Sequence, residues 1–389
     1  MSVTFAKGFS ASGVAAGISA VEGKKDMAVV VNDGPLDVAA GVFTANRFCA
    51  APVQWSRKVV ADGHIKAVVL NSGCANACTG EAGYRQSADT AAKLASLLGV
   101  ADTDIAVCST GMIGDLLPLD NVLSGVELAR NALSESAEAG ELAAEAILTT
   151  DTKKKTVALE GNGYRIGGMV KGSGMIAPQL ATMLCVITTD AKVTAEQARK
   201  ALSAGVETSF NRIDVDGCMS TNDTVLLLAS GASGVEPDED EFDAMVAKAC
   251  ASLSRQIIGD GEGASHDIRV TVTGATSEDA ALACARAVAA SNLLKCAVCG
   301  NDPNWGRVVS SLGTVPADVA PYDPNNVTVD VNGVRVCDGG KPGRPRSEVD
   351  MTPREVHFDI DLGEGDSQAT VWTDDLTHEY VHINADYES

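Results

Sequence analysis

The sequence predicts an α/β fold, because short runs of β-branched residues alternate along the chain with longer alanine-rich stretches of helical spacing. A chain of 389 residues can bury a substantial core, and 45% hydrophobic with 21% charged residues is an ordinary globular composition. The alternation leaves the strand order open. In chain order, the predicted strands are Met27–Val31, Ile65–Leu70, Leu184–Thr188, Thr224–Leu228 and Ile268–Val272.

The predicted helices lie between these strands, in stretches where alanine recurs with other apolar residues. The clearest start is at Thr194, where Thr194 and Gln197 are spaced as a capping box. The acidic run Glu236–Glu241 is interpreted as a solvated loop that leads into a helix. In chain order, the predicted helices are Ser87–Leu98, Asn121–Leu148, Ala195–Thr208, Glu241–Ile258 and Ser277–Ala290.

The net charge of the chain limits the kinds of partner that the protein can bind. A formal net charge of −22 argues against a nucleic-acid-binding protein, which would carry a basic surface, and against docking on an anionic membrane. No run approaches the roughly 18 apolar residues that span a bilayer. Eleven cysteines without a secretory leader favour a reducing compartment. We therefore expect a cytoplasmic protein with no nucleic-acid or membrane partner.

Two motifs resemble metal-binding sequences but lack features that a metal site needs. His378-Glu379-Tyr380-Val381-His382 matches the zinc-protease pattern, but its flanks read as a strand, whereas that pattern requires a helix. Cys296 and Cys299 have the spacing of a metal or redox pair but lack a second pair of ligands. The glycine-rich run 259–263 does not complete a dinucleotide-binding motif. We expect no metal and no resident cofactor.

The most unusual segment is Met169–Leu184, in which a lysine, a glycine-rich turn, a proline and a threonine precede an apolar β-type run. From its residues alone, this is a loop that enters a buried strand. It also contains every fixed position of the signature Lys-Gly-x-Gly-Met-x-x-Pro-x-x-Ala-Thr-Met-Leu, and so resembles the ornithine acetyltransferase family, also called bifunctional glutamate N-acetyltransferases. Further blocks resemble that family in the same order, at residues 108–114, 149–152, 211–224, 261–264, 302–307 and 380–387.

The resemblance implies self-cleavage between Ala181 and Thr182. An α chain of residues 1–181 and a β chain of residues 182–389 would then stay intertwined, associated as a heterotetramer or a larger assembly, and would not be independent domains. The implied fold has stacked β-sheets flanked by helices, as in self-cleaving aminopeptidases.

The implied chemistry agrees with the properties of an N-terminal threonine. The hydroxyl of Thr182 needs a base, and its own α-amine can act as one because such amines titrate near ~7.7–8.0. The family places its oxyanion donors at a turn that corresponds here to the Thr110 hydroxyl and the Gly111 backbone N–H. Glycine suits that turn because the backbone can approach the reacting carbonyl closely.

The implied substrates are N2-acetylornithine and glutamate, with acetyl-CoA an open possibility as a second acetyl donor. Lys171 corresponds to a substrate-contacting lysine that can hold a carboxylate, and Glu262 to an acceptor for an ammonium. Surface ion pairing is the alternative for Lys171 and Glu262, and a frayed terminus is the alternative for Ser389. The remaining implied substrate contacts are Thr150, Asn384 and Ser389, in addition to Thr182.

Two other functions stay open at this point. An amidohydrolase or aminopeptidase on the same scaffold would use water in place of glutamate as the acceptor. A non-catalytic amino-acid-binding protein would keep the Ala181–Thr182 bond intact. The chain also departs from the family pattern at positions that carry none of the proposed roles, namely Cys218-Met219, Ser265-His266 and Asn301.

Overall fold

The computed structural model describes residues 2–177 and 183–386, which form two compact units. The first unit spans residues 2–177, 183–211 and 218–257. The second unit spans residues 212–217 and 258–386.

The first unit is built from two β-sheets and the helices beside them. Its strands are β1 Phe9–Val14, β2 Met27–Asn32, β3 Val38–Phe43, β4 Ala67–Asn71, β5 Ile105–Ser109, β6 Lys155–Glu160, β7 Arg165–Lys171, β8 Leu184–Thr189 and β9 Thr224–Ala229. Its helices are α1 Ala51–Val59, α2 Gly80–Leu98, α3 Leu119–Asn131, α4 Ala137–Ala146, α5 Ala195–Glu207 and α6 Glu239–Ile258.

The two sheets stack on one hydrophobic core. One sheet has the order β1-β2-β4-β5 and the other β3-β9-β8-β7-β6. Val69 of the first sheet and Leu226 of the second belong to the same buried cluster. Strands β2, β4, β5, β8 and β9 are buried along their whole length, as expected for apolar strands covered on both faces.

Strands β7 and β8 flank the predicted cleavage position. They pair antiparallel, with Ile166 opposite Thr189 and Lys171 opposite Leu184. The segment between Lys171 and Leu184 therefore closes a connection between neighbouring strands of one sheet. Ala181 and Thr182 lie outside the described residues, so the division into residues 1–181 and 182–389 stays a prediction.

The long helix predicted over Asn121–Leu148 is wrong, because two helices, α3 and α4, occupy that stretch. Ser134, in the connection between them, exchanges backbone hydrogen bonds of 3.0 Å with Ala11 of β1 in both directions. Ser136 then caps α4 by accepting a hydrogen bond from the Ala139 N–H. The pairing with β1 removes Ser134 from a helical conformation, which splits the stretch in two.

The other predicted elements of the first unit are confirmed, with shifted ends. Helix α2 begins seven residues before its predicted start, and α6 begins at Glu239, within the acidic run. At the start of α5, Thr194 and Gln197 form the predicted capping box. The strand predicted from Ile65 begins at Ala67.

The described part of the second unit is built from six strands and four helices. Its elements are β10 Asp267–Ala275, β11 Thr328–Val331, β12 Val334–Asp338, β13 Lys341–Pro342, β14 Glu355–Asp361, β15 Ser367–Asp374, α7 Glu278–Ala289, α8 Asn292–Cys299, α9 Trp305–Leu312 and α10 His378–Asp386. The strands form one sheet with the order β13-β12-β11-β14-β10-β15. The strand predicted at Ile268–Val272 is confirmed within β10, whose alternate apolar residues belong to the same buried cluster as the alanines of α7. Ser277 caps α7 by accepting a hydrogen bond from the Ala280 N–H.

The strand interpretation of residues 378–382 is wrong, because this segment is the helix α10. The Thr377 hydroxyl accepts a hydrogen bond of 3.2 Å from the Tyr380 N–H and so satisfies one of the free donors at the helix start. Val381, whose β-branched side chain favoured a strand, is 60% exposed on the helix surface.

Within residues 2–177 and 183–386, no single helix is long and apolar enough to cross a membrane. The bent pair formed by α7 and α8 passes the same test of length and composition when its two helices are joined.

Candidate active site

The predicted oxyanion turn follows directly after β5. Its position is fixed by a hydrogen bond of 3.0 Å from the Thr110 N–H to the Asn71 carbonyl. Gly111 has φ +129°, and a Cβ atom there would lie 2.4 Å from the carbonyl carbon of Gly73. Only glycine fits this position, since any side chain would collide with the neighbouring backbone.

A buried amide joins the turn to its surroundings. The Asn222 side chain donates 2.8 Å to the Ser109 carbonyl and 2.6 Å to the Ala75 carbonyl. Asn222 was not predicted as a functional residue. Its two bonds brace the strand end that carries Thr110 against the adjacent loop.

Lys171 ends β7 and reaches Thr110. Its Nζ donates to the Thr110 Oγ1 over 3.3 Å, and the two residues are only 2% and 3% exposed. The alternative that Lys171 belongs to a surface ion pair is therefore wrong. Because the Thr110 oxygen accepts from the ammonium, its own hydrogen points away from Lys171 and can serve another acceptor, as an oxyanion donor must.

Asp151 supplies negative charge beside Lys171. Burial raises the pKa of Asp151, but the charges of Lys171 and Lys155 and the hydrogen bonds from Lys155 and Gly172 outweigh this effect and hold it at about 2. The Lys155 Nζ lies 2.6 Å and the Gly172 N–H nitrogen 2.7 Å from the Asp151 Oδ1. Thr150, a predicted substrate contact, is half-buried and immediately precedes Asp151.

Asp223 is a second buried carboxyl group that the sequence analysis did not single out. Its Oδ1 accepts a hydrogen bond of 3.0 Å from the N–H of Met183, the residue after the predicted nucleophile. Burial raises the pKa of Asp223 to about 8, although the Met183 N–H and the charge of Lys171 act in the opposite direction. Thr182 itself and Ser389 lie outside the described residues.

Glu262 and Asn384, both in the second unit, are brought together. The Asn384 amide donates 2.8 Å to the Glu262 Oε2 and 3.0 Å to the Tyr380 carbonyl. Glu262 is buried, whereas Asn384 lies on the exposed face of α10. The pair combines a carboxylate with a neutral amide, which suits a ligand that carries hydrogen-bond donors and positive charge.

The loop that carries Glu262 is held by Asp375. The carboxylate accepts hydrogen bonds from the N–H groups of Ser265 (2.8 Å) and His266 (2.9 Å), while the His266 Nδ1 lies 3.0 Å from its other oxygen. Ser265 and His266 are departures from the family pattern, and both take part in this anchor. The anchor fixes the loop segment that directly follows Glu262.

The motifs that the sequence analysis set aside form no metal-binding group of three or more candidate ligands among residues 2–177 and 183–386. On α10, the His382 Nδ1 lies 3.0 Å from the Asp386 Oδ2, and both side chains are exposed. Cys296 and Cys299 are free thiols on α8.

Stacked sheets that bring a buried lysine beside a Thr-Gly turn suit an acyl-transfer enzyme, because a hydroxyl and a main-chain N–H are the kinds of donor that a developing oxyanion needs.

Comparisons with known proteins agree with this class. The profile of the ArgJ family matches residues 10–389. The chain is 78% identical to the arginine biosynthesis bifunctional protein ArgJ of Bifidobacterium longum and 54% identical to that of Streptomyces coelicolor, with 100% of each chain covered in both cases. A crystal structure of ornithine acetyltransferase complexed with ornithine from Mycobacterium tuberculosis is 46% identical, with a TM-score of 0.45 over 47% of this chain and 96% of that chain. The chain belongs to the ArgJ family, and the resemblance drawn from the sequence is confirmed.

Proposed function

We propose that this protein is a self-cleaving acetyltransferase of arginine biosynthesis, which moves an acetyl group from N2-acetylornithine to glutamate. Membership of the ArgJ family along nearly the whole chain supports this function. The single geometric observation that carries it is the contact between the Lys171 ammonium and the Thr110 hydroxyl beside Gly111. That contact turns the Thr110 hydrogen toward an incoming oxyanion.

In the proposed reaction, the Thr182 hydroxyl attacks the acetyl carbonyl of N2-acetylornithine while its α-amine takes the hydroxyl proton. The Thr110 hydroxyl and the Gly111 N–H stabilise the tetrahedral oxyanion. The carbon–nitrogen bond then breaks, ornithine leaves with the proton on its amine, and an acetyl ester remains on Thr182. The amine of glutamate attacks this ester, which releases N-acetylglutamate and restores the hydroxyl.

The charged groups of each unit have separate proposed roles. In the first unit, Lys171 contacts a substrate carboxylate and Asp151 supplies the counter-charge beside Lys171. Thr150 and Ser389 are proposed to add hydrogen bonds to substrate. In the second unit, Glu262 accepts hydrogen bonds from an ammonium and Asn384 orients its carboxylate.

The proposal extends to a second acetyl donor, the assembly, the location and the cofactor requirement of the protein. Acetyl-CoA acts as a second acetyl donor to glutamate, in keeping with the name bifunctional protein that the relatives carry. The α and β chains remain associated after cleavage, as a heterotetramer or a larger assembly. The protein works in the cytoplasm and needs no resident cofactor.

The decisive experiment compares the unaltered protein with Thr182→Ala and Thr182→Ser. Intact mass spectrometry should find two chains, residues 1–181 and 182–389, for the unaltered protein and for Thr182→Ser. Thr182→Ala should stay as one chain and form no N-acetylglutamate. An uncleaved chain with full activity, or full activity in Thr182→Ala, would refute the mechanism.

The same assay separates donors and acceptors. Acetyl-CoA and N2-acetylornithine are supplied in turn as the sole donor, and both N-acetylglutamate and free acetate are measured. Acetate as the main product would indicate a hydrolase and overturn the transferase proposal.

A further inference from the structure

Asp223 lies at the end of the loop that leads into β9, and its side chain is fully buried. Its Oδ1 accepts a hydrogen bond from the Met183 N–H, and the next residue, Thr224, donates 3.0 Å to the Met183 carbonyl. Its own carbonyl is also engaged with the surroundings, since the Thr44 N–H donates 3.0 Å to it. Both main-chain groups of Met183 are therefore fixed by two consecutive residues.

The Met183 N–H belongs to the peptide group that joins Met183 to Thr182. A peptide group is planar, and its six atoms include the Cα of the preceding residue. A hydrogen bond to this N–H therefore orients a rigid plane that has the Thr182 Cα as one corner. Only two rotatable bonds, Cα–C and Cα–Cβ of Thr182, separate this plane from the hydroxyl proposed as the nucleophile.

Stability alone does not explain an acidic residue at this position. Burial raises the pKa of Asp223 to about 8, so the carboxyl group is neutral at pH 7 and folding has to overcome the cost of removing it from water. Its Oδ2 has no hydrogen bond of regular geometry among residues 2–177 and 183–386, and the nearby hydroxyls of Ser220 and Thr44 lower the pKa too little to offset burial. A buried polar group that costs stability is characteristic of a functional position.

We propose that Asp223 is a positioning residue for the Thr182 nucleophile, acting through its hydrogen bond to the Met183 N–H. This inference rests on the proposed function, in which Thr182 carries the acetyl group. Both self-cleavage and acetyl transfer need the same hydroxyl in place, so both steps depend on Asp223.

The test compares Asp223→Leu with a matched control at the opposite end of β8. Asp190 is also buried and accepts hydrogen bonds from main-chain N–H groups, those of Lys7 (3.0 Å) and Arg165 (2.7 Å). Asp190→Leu thus removes a comparable buried carboxyl group, just beyond the other end of β8, without touching Met183. For each protein, the cleaved fraction is measured by intact mass, kcat and KM are measured for N2-acetylornithine, and Tm is measured by calorimetry.

We expect Asp223→Leu to slow self-cleavage and to lower kcat of the cleaved fraction by about 100-fold with KM nearly unchanged, the effect of a displaced nucleophile. Asp190→Leu should lower Tm and leave kcat within about 2-fold, because it acts on stability alone. The inference is overturned by wild-type kcat and cleavage in Asp223→Leu. It is equally overturned if the two variants lose kcat in proportion to their loss of Tm.

A second variant keeps the inference testable if Asp223→Leu does not fold. Asp223→Asn retains an oxygen that can accept from Met183, so it should cleave and keep kcat within about 10-fold at pH 7. Above pH 8, ionised Asp223 would attract the Lys171 ammonium, the charged group that acts on it, so kcat of the unaltered protein should fall there. Asp223→Asn should lack that fall, and identical pH profiles overturn the inference. Failure of the unaltered protein to cleave or to transfer acetyl would instead refute the proposed function.

Discussion

Replacing Asp151 by asparagine should destabilise the protein strongly, because it leaves buried positive charge without its counter-charge. The Asp151 carboxylate and the Lys155 ammonium are 2.6 Å apart, and neither side chain has exposed surface. Lys171, whose charge also acts on Asp151, is only 2% exposed. Removing one partner of a buried ion pair typically lowers the free energy of unfolding by about 3–5 kcal/mol.

The lowered pKa of Asp151 gives a separate value for the contribution of this carboxylate to the free energy of unfolding. Its fall from 3.8 to about 2 corresponds to about 2 kcal/mol in favour of the folded state above pH 4. Since the folded pKa is the lower one, this contribution is present at pH 7 and is lost as the pH falls from about 4 to about 2. Asp151→Asn has no carboxyl group to protonate, so its stability should fall less steeply over that range.

The assay is urea denaturation of the cleaved protein at one fixed protein concentration, at pH 7 and at steps between pH 4 and pH 2. Glu81→Gln is the matched control, since Glu81 pairs with Arg85 on the surface, where the side chains are 77% and 73% exposed. That control should change the free energy of unfolding by less than about 1 kcal/mol. The double variant Asp151→Asn with Lys155→Met should recover part of the loss, because one uncompensated cation is removed.

Two results would refute this reasoning. One is a loss of less than about 1 kcal/mol for Asp151→Asn at pH 7, the range of a surface pair. The other is an equal decline of the unaltered protein and of Asp151→Asn between pH 4 and pH 2.

Three further predictions concern the turn, the second unit and a helix end. Gly111→Ala should lower kcat by about 100-fold or more, because the new Cβ would lie 2.4 Å from the Gly73 carbonyl carbon and the backbone shift that relieves this clash displaces the N–H proposed as an oxyanion donor; steady-state kinetics measures this, and unchanged kcat would contradict it. Glu262→Gln should raise KM for glutamate at least about 10-fold with a smaller change in kcat, because a charged acceptor for an ammonium is lost; an unchanged KM removes Glu262 from substrate binding. Thr194→Ala should lower the free energy of unfolding by about 1 kcal/mol through loss of the cap on α5 and leave kcat unchanged; equal urea midpoints would show that the capping box contributes nothing.

Local sequence patterns predicted the elements that local interactions decide. The runs at Leu184–Thr188 and Thr224–Leu228 are strands because continuous β-branched and aliphatic residues suit a sheet buried on both faces. The capping box at Thr194 is confirmed because its partners are three residues apart and need no distant group. Where a residue far away in the sequence determines the local conformation, the predicted element was wrong. The helix predicted over Asn121–Leu148 is broken by Ser134, which pairs with Ala11 more than a hundred residues earlier.

The residues of the candidate site also fall into those that local sequence patterns predict and those that only tertiary packing reveals. The sequence by itself determined the family and the residues proposed for chemistry, because the motif around Thr182 and the Thr110-Gly111 turn are contiguous patterns. Only the tertiary structure revealed the roles of Asp151 and Asp223. An aspartate in a polar stretch before a strand is normally solvated, and nothing local shows that other elements will cover it. Burial depends on which segments pack together. Packing places two lysines beside Asp151, whose charges outweigh the effect of burial and hold its pKa at about 2, whereas burial raises the pKa of Asp223 to about 8 beside one lysine.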